Sequence, residues 1–175
     1  MKVILVMVSS VNGKITEGSD PDVTHWTSKE YQKLFSDIKQ RYQVIIMGSH
    51  TYEENKTRIH LSKDILRIVL TKNPEAFKHM AVTGSLEFSS ESPIELVKRL
   101  ESLGYSNILL VGGAEICSSF LAKKLVNELH LTIEPKLFGT GKNIVSDIPL
   151  SVDMKLVEVK QLNPSGTLHL IYRVV

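Results

Sequence analysis

Short apolar runs rich in β-branched residues end, again and again, at a glycine or hydroxyl residue that opens a helix-compatible segment. Val44-Ile45-Ile46-Met47 stops at Gly48 and leads into Ser49-His50-Thr51. Ile65–Leu70 leads into Thr71-Lys72, and Ile108–Val111 into Gly112-Gly113-Ala114-Glu115. Runs of this length without polar alternation are strands buried on both faces, and such strands belong to parallel sheets covered by helices on each side. Lys2–Ser9 reads the same way, and Glu128–Ile133 adds another strand. After about residue 125 strands dominate, and Lys155–Gln161 and Thr167–Val174 flank the turn Asn163-Pro164-Ser165-Gly166. The predicted architecture is α/β: a mostly parallel, twisted sheet with helices on both faces and an antiparallel C-terminal hairpin.

The helices carry start and stop signals. Thr27 or Ser28 caps a predicted helix running to about Arg41, with Tyr31, Leu34, Phe35 and Ile38 on one face. Ser92-Pro93-Ile94-Glu95 combines a capping serine, a proline in the first turn and a glutamate three residues after the cap; this helix is expected to end near Gly104. A short helix is expected from His50, and another after Gly113 through about Ala122. No repeat, linker or low-complexity segment divides the 175 residues, so one domain over 1–175 is expected.

Several function classes are disfavoured at once. The net charge of +2 comes without a basic stripe, so no nucleic-acid partner is expected. Cys117 is the only cysteine, which excludes an internal disulfide and a thiolate cluster. The six histidines lack ligand spacing, so no metal is expected. No stretch approaches the ~18 apolar residues that span a bilayer. The apolar run at the N-terminus is short and lacks a small-residue cleavage site, so it is read as a strand and the protein as cytoplasmic.

What remains is a small-molecule site. In open α/β sheets ligands bind beyond the carboxyl ends of the strands. Gly112-Gly113 permits close approach of a phosphate, and the helix that follows offers unpaired N–H groups. Alone, that turn is equally compatible with a structural role, and it is not the GxGxxG fingerprint. In isolation Ser49 and Thr51 are better read as simple helix caps. The convergence of three junctions on one crevice is the stronger sign.

In order along the chain, MVSSVNGKIT (Met7–Thr16), VIIMGSHTYEE (Val44–Glu54), RIVLTKNP (Arg67–Pro74), ILLVGGAEI (Ile108–Ile116) and LVNELHLTIEP (Leu125–Pro135) resemble the dihydrofolate reductase superfamily. Two branches are relevant. Dihydrofolate reductases carry an acidic residue early in the first long helix, five positions after a Trp and four before a Phe. Trp26 and Phe35 both place Tyr31 there, and Glu30 is its neighbour. A shift of one residue turns a helical side chain by about 100°, so Glu30 substitutes only in a different register. SSVNGKIT is similar to the Ser-x-Asp-Gly-Lys-Ile pattern of the riboflavin-pathway pyrimidine reductases, with Asn12 in place of Asp. Val111-Gly112-Gly113 stands where that branch has Glu-Gly-Gly.

The resemblance to the pyrimidine reductase branch implies the cofactor NADPH and a small heterocyclic substrate. It implies Gly112, Gly113, Ala114 and Glu115 at the pyrophosphate, with Gly48 and Val111 flanking. Ser49, His50, Thr51, Thr71 and Lys72 are implied around the adenosine side and its 2′-phosphate. Ser10, Asn12, Trp26 and Tyr31 are implied to face the substrate and nicotinamide, with Asn12, Trp26 and Tyr31 as the candidate catalytic residues. A homodimer is implied as well. A dihydrofolate or pterin reductase, another small-molecule substrate, or nucleotide binding alone are the alternatives.

Overall fold

The computed structural model describes residues 1–175. One sheet holds β1 (Lys2–Ser10), β2 (Val44–Gly48), β3 (Leu66–Leu70), β4 (Leu86–Ser89), β5 (Asn107–Leu110), β6 (Glu128–Glu134), β7 (Met154–Gln161) and β8 (Leu168–Val174). Their order is β4-β3-β2-β5-β1-β6-β8-β7. Strands β1 to β6 pair in parallel, while β8 runs antiparallel to both β6 and β7. The helices are α1 (Lys29–Lys39), α2 (Ser49–Asn55), α3 (Pro93–Ser102) and α4 (Ala114–Ala122).

The pleat explains why the strands show no polar alternation. Side chains along a strand point alternately to the two faces. On one face Val3, Leu5 and Met7 of β1 pack with Val44 and Ile46 of β2, under Leu96 and Leu100 of α3 and Cys117 and Phe120 of α4. On the other, Ile4, Val6, Ile45 and Met47 pack under Ile38 of α1 and Tyr52 of α2. Both faces are covered, so the central positions of β1 and β2, Val3–Val8 and Val44–Met47, are all apolar. Each such side chain contributes about 1.5–3 kcal/mol by leaving water.

The caps are as the residue types demand. Ser28 accepts from the Tyr31 N–H at 3.2 Å, and Ser92 and Glu95 form a reciprocal capping box. Gly104, with φ +87°, takes the left-handed turn after α3. Three details depart from the sequence reading. Helix α1 ends at Lys39, not Arg41, and α2 begins at Ser49 rather than His50. Strand β4 was not predicted; it is four residues long and only Leu86 in it is fully buried, so no periodicity announces it.

The chain reaches β2, β3 and β4 on one side of β1, then returns to insert β5 between β2 and β1. That reversal opens a crevice at the carboxyl ends of the central strands.

Candidate active site

A cleft of about 1400 Å³ runs along those strand ends. Gly48, Ser49, His50, Thr51, Thr71, Lys72, Val111, Gly112, Gly113, Ala114 and Glu115 all line it. Ser10, Asn12 and Trp26 are not among the residues that line it, whereas Tyr31 is.

At one end the strand-to-helix junctions lie against one another. The Gly48 N–H donates to the Gly112 carbonyl at 2.8 Å. A Cβ on Gly48 would sit 2.9 Å from Ile116 Cγ1, and one on Gly113 would sit 3.2 Å from Thr51 Oγ1. Gly112 has φ +106°, a conformation that favours glycine. A Cβ on Gly112 would meet the Met7 sulfur at 3.5 Å, so glycine at these positions lets the β2 and β5 junctions close on each other and on the core, with the start of α4 left in the cleft lining. Around it stand hydroxyls of Ser49, Thr51, Thr71, Ser89 and Ser90, with the Lys72 ammonium. Glu91, also here, is held by Arg99 Nη2 at 2.8 Å and by the Ser89 hydroxyl at 2.8 Å. A helix start in the cleft lining, several hydroxyls and a free cation suit a ligand with more than one phosphate.

The other end is apolar, with Val6, Val8, Phe35, Ile45 and Met47. Tyr31 is 5% exposed and stacks on Phe35 at 5.8 Å. Burial, and then the charge of Glu134, push its phenol above the ordinary value, and no hydrogen bond stabilises it. It is a neutral hydroxyl presented to the cleft. Glu30, one residue away, is on the exposed side of α1, where its carboxylate accepts from Asn163 at 3.2 Å. Lys39 lies over the Phe35 ring at 4.6 Å. Burial, then the Arg67 guanidinium, lower the Lys39 pKa, and burial lowers that of Arg67. Neither cation has a carboxylate partner, and both line the cleft.

The remaining predicted residues are tied into the protein. The Ser10 hydroxyl donates to Asn12 Oδ1 at 2.7 Å, Asn12 Nδ2 donates to the Phe138 carbonyl at 2.7 Å, and the Phe138 N–H returns to Asn12 Oδ1 at 3.2 Å. This staple joins the turn after β1 to the segment after β6. Trp26 is 2% exposed and meets Phe138 edge-to-face at 5.2 Å, with its Nε1 buried and unpartnered. Cys117 is a packed apolar group whose thiol is pushed up to about 12 by burial.

Sequence reasoning passed over several cleft residues. Ser89-Ser90 repeat the strand-to-hydroxyl pattern at the end of β4, a signal that was available once β4 was seen. Lys39 and Arg67 sit among ordinary surface charges in sequence, and only the fold brings them together. Thr16 closes the MVSSVNGKIT stretch but was not singled out there, and Lys142 comes from a turn with no motif; both are in the cleft lining.

The RibD C-terminal domain family matches residues 1–168, and the chain belongs to that family. Among full-length relatives, the uncharacterized protein YwjB of Bacillus subtilis is 27% identical over 173 residues, covering 97% of each chain. The crystal structure of a pyrimidine reductase-like protein from Corynebacterium diphtheriae superposes with a TM-score of 0.77 at 15% identity, over 99% of this chain and 92% of that one. A deaminase/5-amino-6-(5-phosphoribosylamino)uracil reductase from Thermotoga maritima gives 0.75 at 18% identity. There the match spans 99% of this chain and 56% of the longer protein. At these identities the likeness is one of fold. No helix is long and apolar enough to cross a membrane.

Proposed function

We propose that residues 1–175 form one reductase domain that passes hydride from NADPH to a small heterocyclic substrate, in the manner of the pyrimidine reductases its fold resembles. One observation carries this reading: the Gly112-Gly113 turn, the Ser49–Thr51 segment and Thr71-Lys72 line a single cleft whose far end is apolar and holds Tyr31.

NADPH supplies the hydride from its nicotinamide ring; the chain supplies placement. The glycine turn and the first turn of α4 receive the pyrophosphate. Lys72, with Thr71, receives the 2′-phosphate and selects NADPH over NADH. Val6, Val8 and Met47 form a dry wall beside the nicotinamide, where reacting atoms must come within about 3–3.5 Å. Tyr31 donates a hydrogen bond to a polar atom of the substrate ring and orients it, and the proton that hydride addition requires comes from solvent water. Lys39 and Arg67 receive an anionic substituent of the substrate. Ser10 and Asn12 hold the β1 turn in place, and Trp26 backs Tyr31.

A pterin reductase gains no support. Such a site pairs a carboxylate with the ring, and Glu30 is turned away from the cleft. Leu156, Val157 and Val159 are about half exposed on the edge strand β7 and would form the homodimer contact. The test is NADPH consumption with pyrimidine and pterin substrates, alongside cofactor affinity. Wild type should prefer NADPH, and Lys72→Ala should cut that preference about tenfold. Equal affinity of the wild type for NADPH and NADH would reject the 2′-phosphate assignment.

A further inference from the structure

The segment after β6 forms another wall of the cleft. Its backbone is fixed at Lys142, whose N–H donates to Thr16 Oγ1 at 2.9 Å and whose carbonyl accepts from the Ile15 N–H at 2.8 Å. Gly141, next to it, has φ +142°, and a Cβ there would fall against the Thr16 carbonyl oxygen. Further on, the Ser146 N–H donates to Ser118 Oγ of α4 at 2.8 Å. The segment is thus stitched to the β1 turn at one end and to α4 at the other. Lys142 and Ser146 line the cleft together with Gly112–Glu115.

The Lys142 side chain is the movable part. It is 59% exposed, and its one partner is Glu54 of α2, at 3.6 Å. That distance is beyond a hydrogen bond, and exposed pairs of this kind hold weakly. Glu54 also lines the cleft, so the pair spans it. No other ion pair and no hydrogen bond joins α2 to residues 139–147.

We propose that Lys142 is a clamp for the cofactor's pyrophosphate, held ready by Glu54. Without cofactor the ammonium rests against Glu54. When cofactor binds, it swings about its own side-chain bonds onto the phosphate oxygens, and the backbone stays where Thr16 and Ser118 fix it. This rests on the NADPH reading above. The physical reason is charge. Glu54, Glu115 and Asp147 are carboxylates in the cleft lining. A pyrophosphate adds further negative charge, and a lysine bound only weakly elsewhere is the cation free to offset it.

The test is a fluorescence titration with NADPH and with 2′-AMP, which carries the 2′-phosphate but no pyrophosphate. Lys142→Met should weaken NADPH about tenfold and leave 2′-AMP unchanged, while Lys142→Arg should retain most of the NADPH affinity. Glu54→Gln should tighten NADPH about threefold, because it frees the lysine. The double variant decides how. Under the clamp, the gain from Glu54→Gln shrinks when Lys142 is already methionine. If Glu54 acts only as a repelling charge, the gain grows in that background, since nothing then neutralises the carboxylate, and the clamp is wrong. Equal weakening of NADPH and 2′-AMP by Lys142→Met would also overturn it. Failure of the wild type to bind NADPH at all would remove the cofactor reading, and the clamp with it.

Discussion

Tyr31 and Glu30 are adjacent in the chain and sit in opposite environments, and the difference decides what the cleft can hold. Tyr31 is buried and faces the ligand space without a partner; Glu30 is exposed and bonded to Asn163. Tyr31→Phe should lower kcat/KM for the true substrate about tenfold with little change in NADPH affinity, and Glu30→Gln should change neither. Dihydrofolate turnover that disappears in Glu30→Gln would show that the acid reaches the site and that the branch is misassigned. The position of Tyr31 was legible from Trp26 and Phe35. The shift of its hydroxyl was not, because that depends first on burial by the folded chain and then on the charge of Glu134, on a strand distant in sequence. Gly113 offers a similar lesson. Its φ of −74° is open to any residue, so the restriction there is the nearby Thr51 hydroxyl and not the backbone angle.

At the scale of elements, a buried carboxylate ties three pieces of structure together. Glu134 ends β6 and is 2% exposed. It accepts from the Ser28 N–H and hydroxyl, both at 2.8 Å, at the start of α1, and from the Thr167 hydroxyl at 2.7 Å beside β8. Ser28 in turn caps the helix that carries Tyr31. Glu134→Ala should cost about 3 kcal/mol of stability, since it leaves buried donors unpaired. Chemical denaturation measures this, and a loss below about 1 kcal/mol would mean that water replaces the carboxylate readily. The elements themselves were largely readable. Ser92 with Glu95, and glycine at strand ends, specify local structure through nearby atoms. Strand β4 was not readable, because it exists through pairing with β3 rather than through a pattern of its own. The Asn12 staple was missed for the same reason, since its partner Phe138 is distant in sequence.

For the whole molecule, pH acts through two histidines on neighbouring strands. His130 and His169 meet edge-to-face at 5.8 Å, and His169 contacts the Thr132 hydroxyl at 3.0 Å. Burial lowers the pKa of both, although at His130 the ring's hydrogen bond to the Glu128 carboxylate opposes it, and His130 lowers His169 further. The unfolded chain therefore binds more protons just below the ordinary value of 6.5. Stability from this pair is complete above that pH and is lost as pH falls through the lowered folded values. Denaturation midpoints should drop between neutral pH and about pH 5, and a His169→Gln variant should show a smaller drop. An identical drop in the variant would place the acid sensitivity elsewhere. The sheet order, which gathers the junctions after β2, β3, β4 and β5 on one cleft, is a property of the whole fold that the sequence displayed only as a recurring pattern of strands ending at glycine or hydroxyl residues. NADPH binding to that cleft is measured by isothermal titration on the wild type and on a folded Gly113→Val variant. One NADPH per chain, bound by the wild type and lost in Gly113→Val, is the predicted result. Unchanged affinity in the variant, or no binding by the wild type, would contradict it.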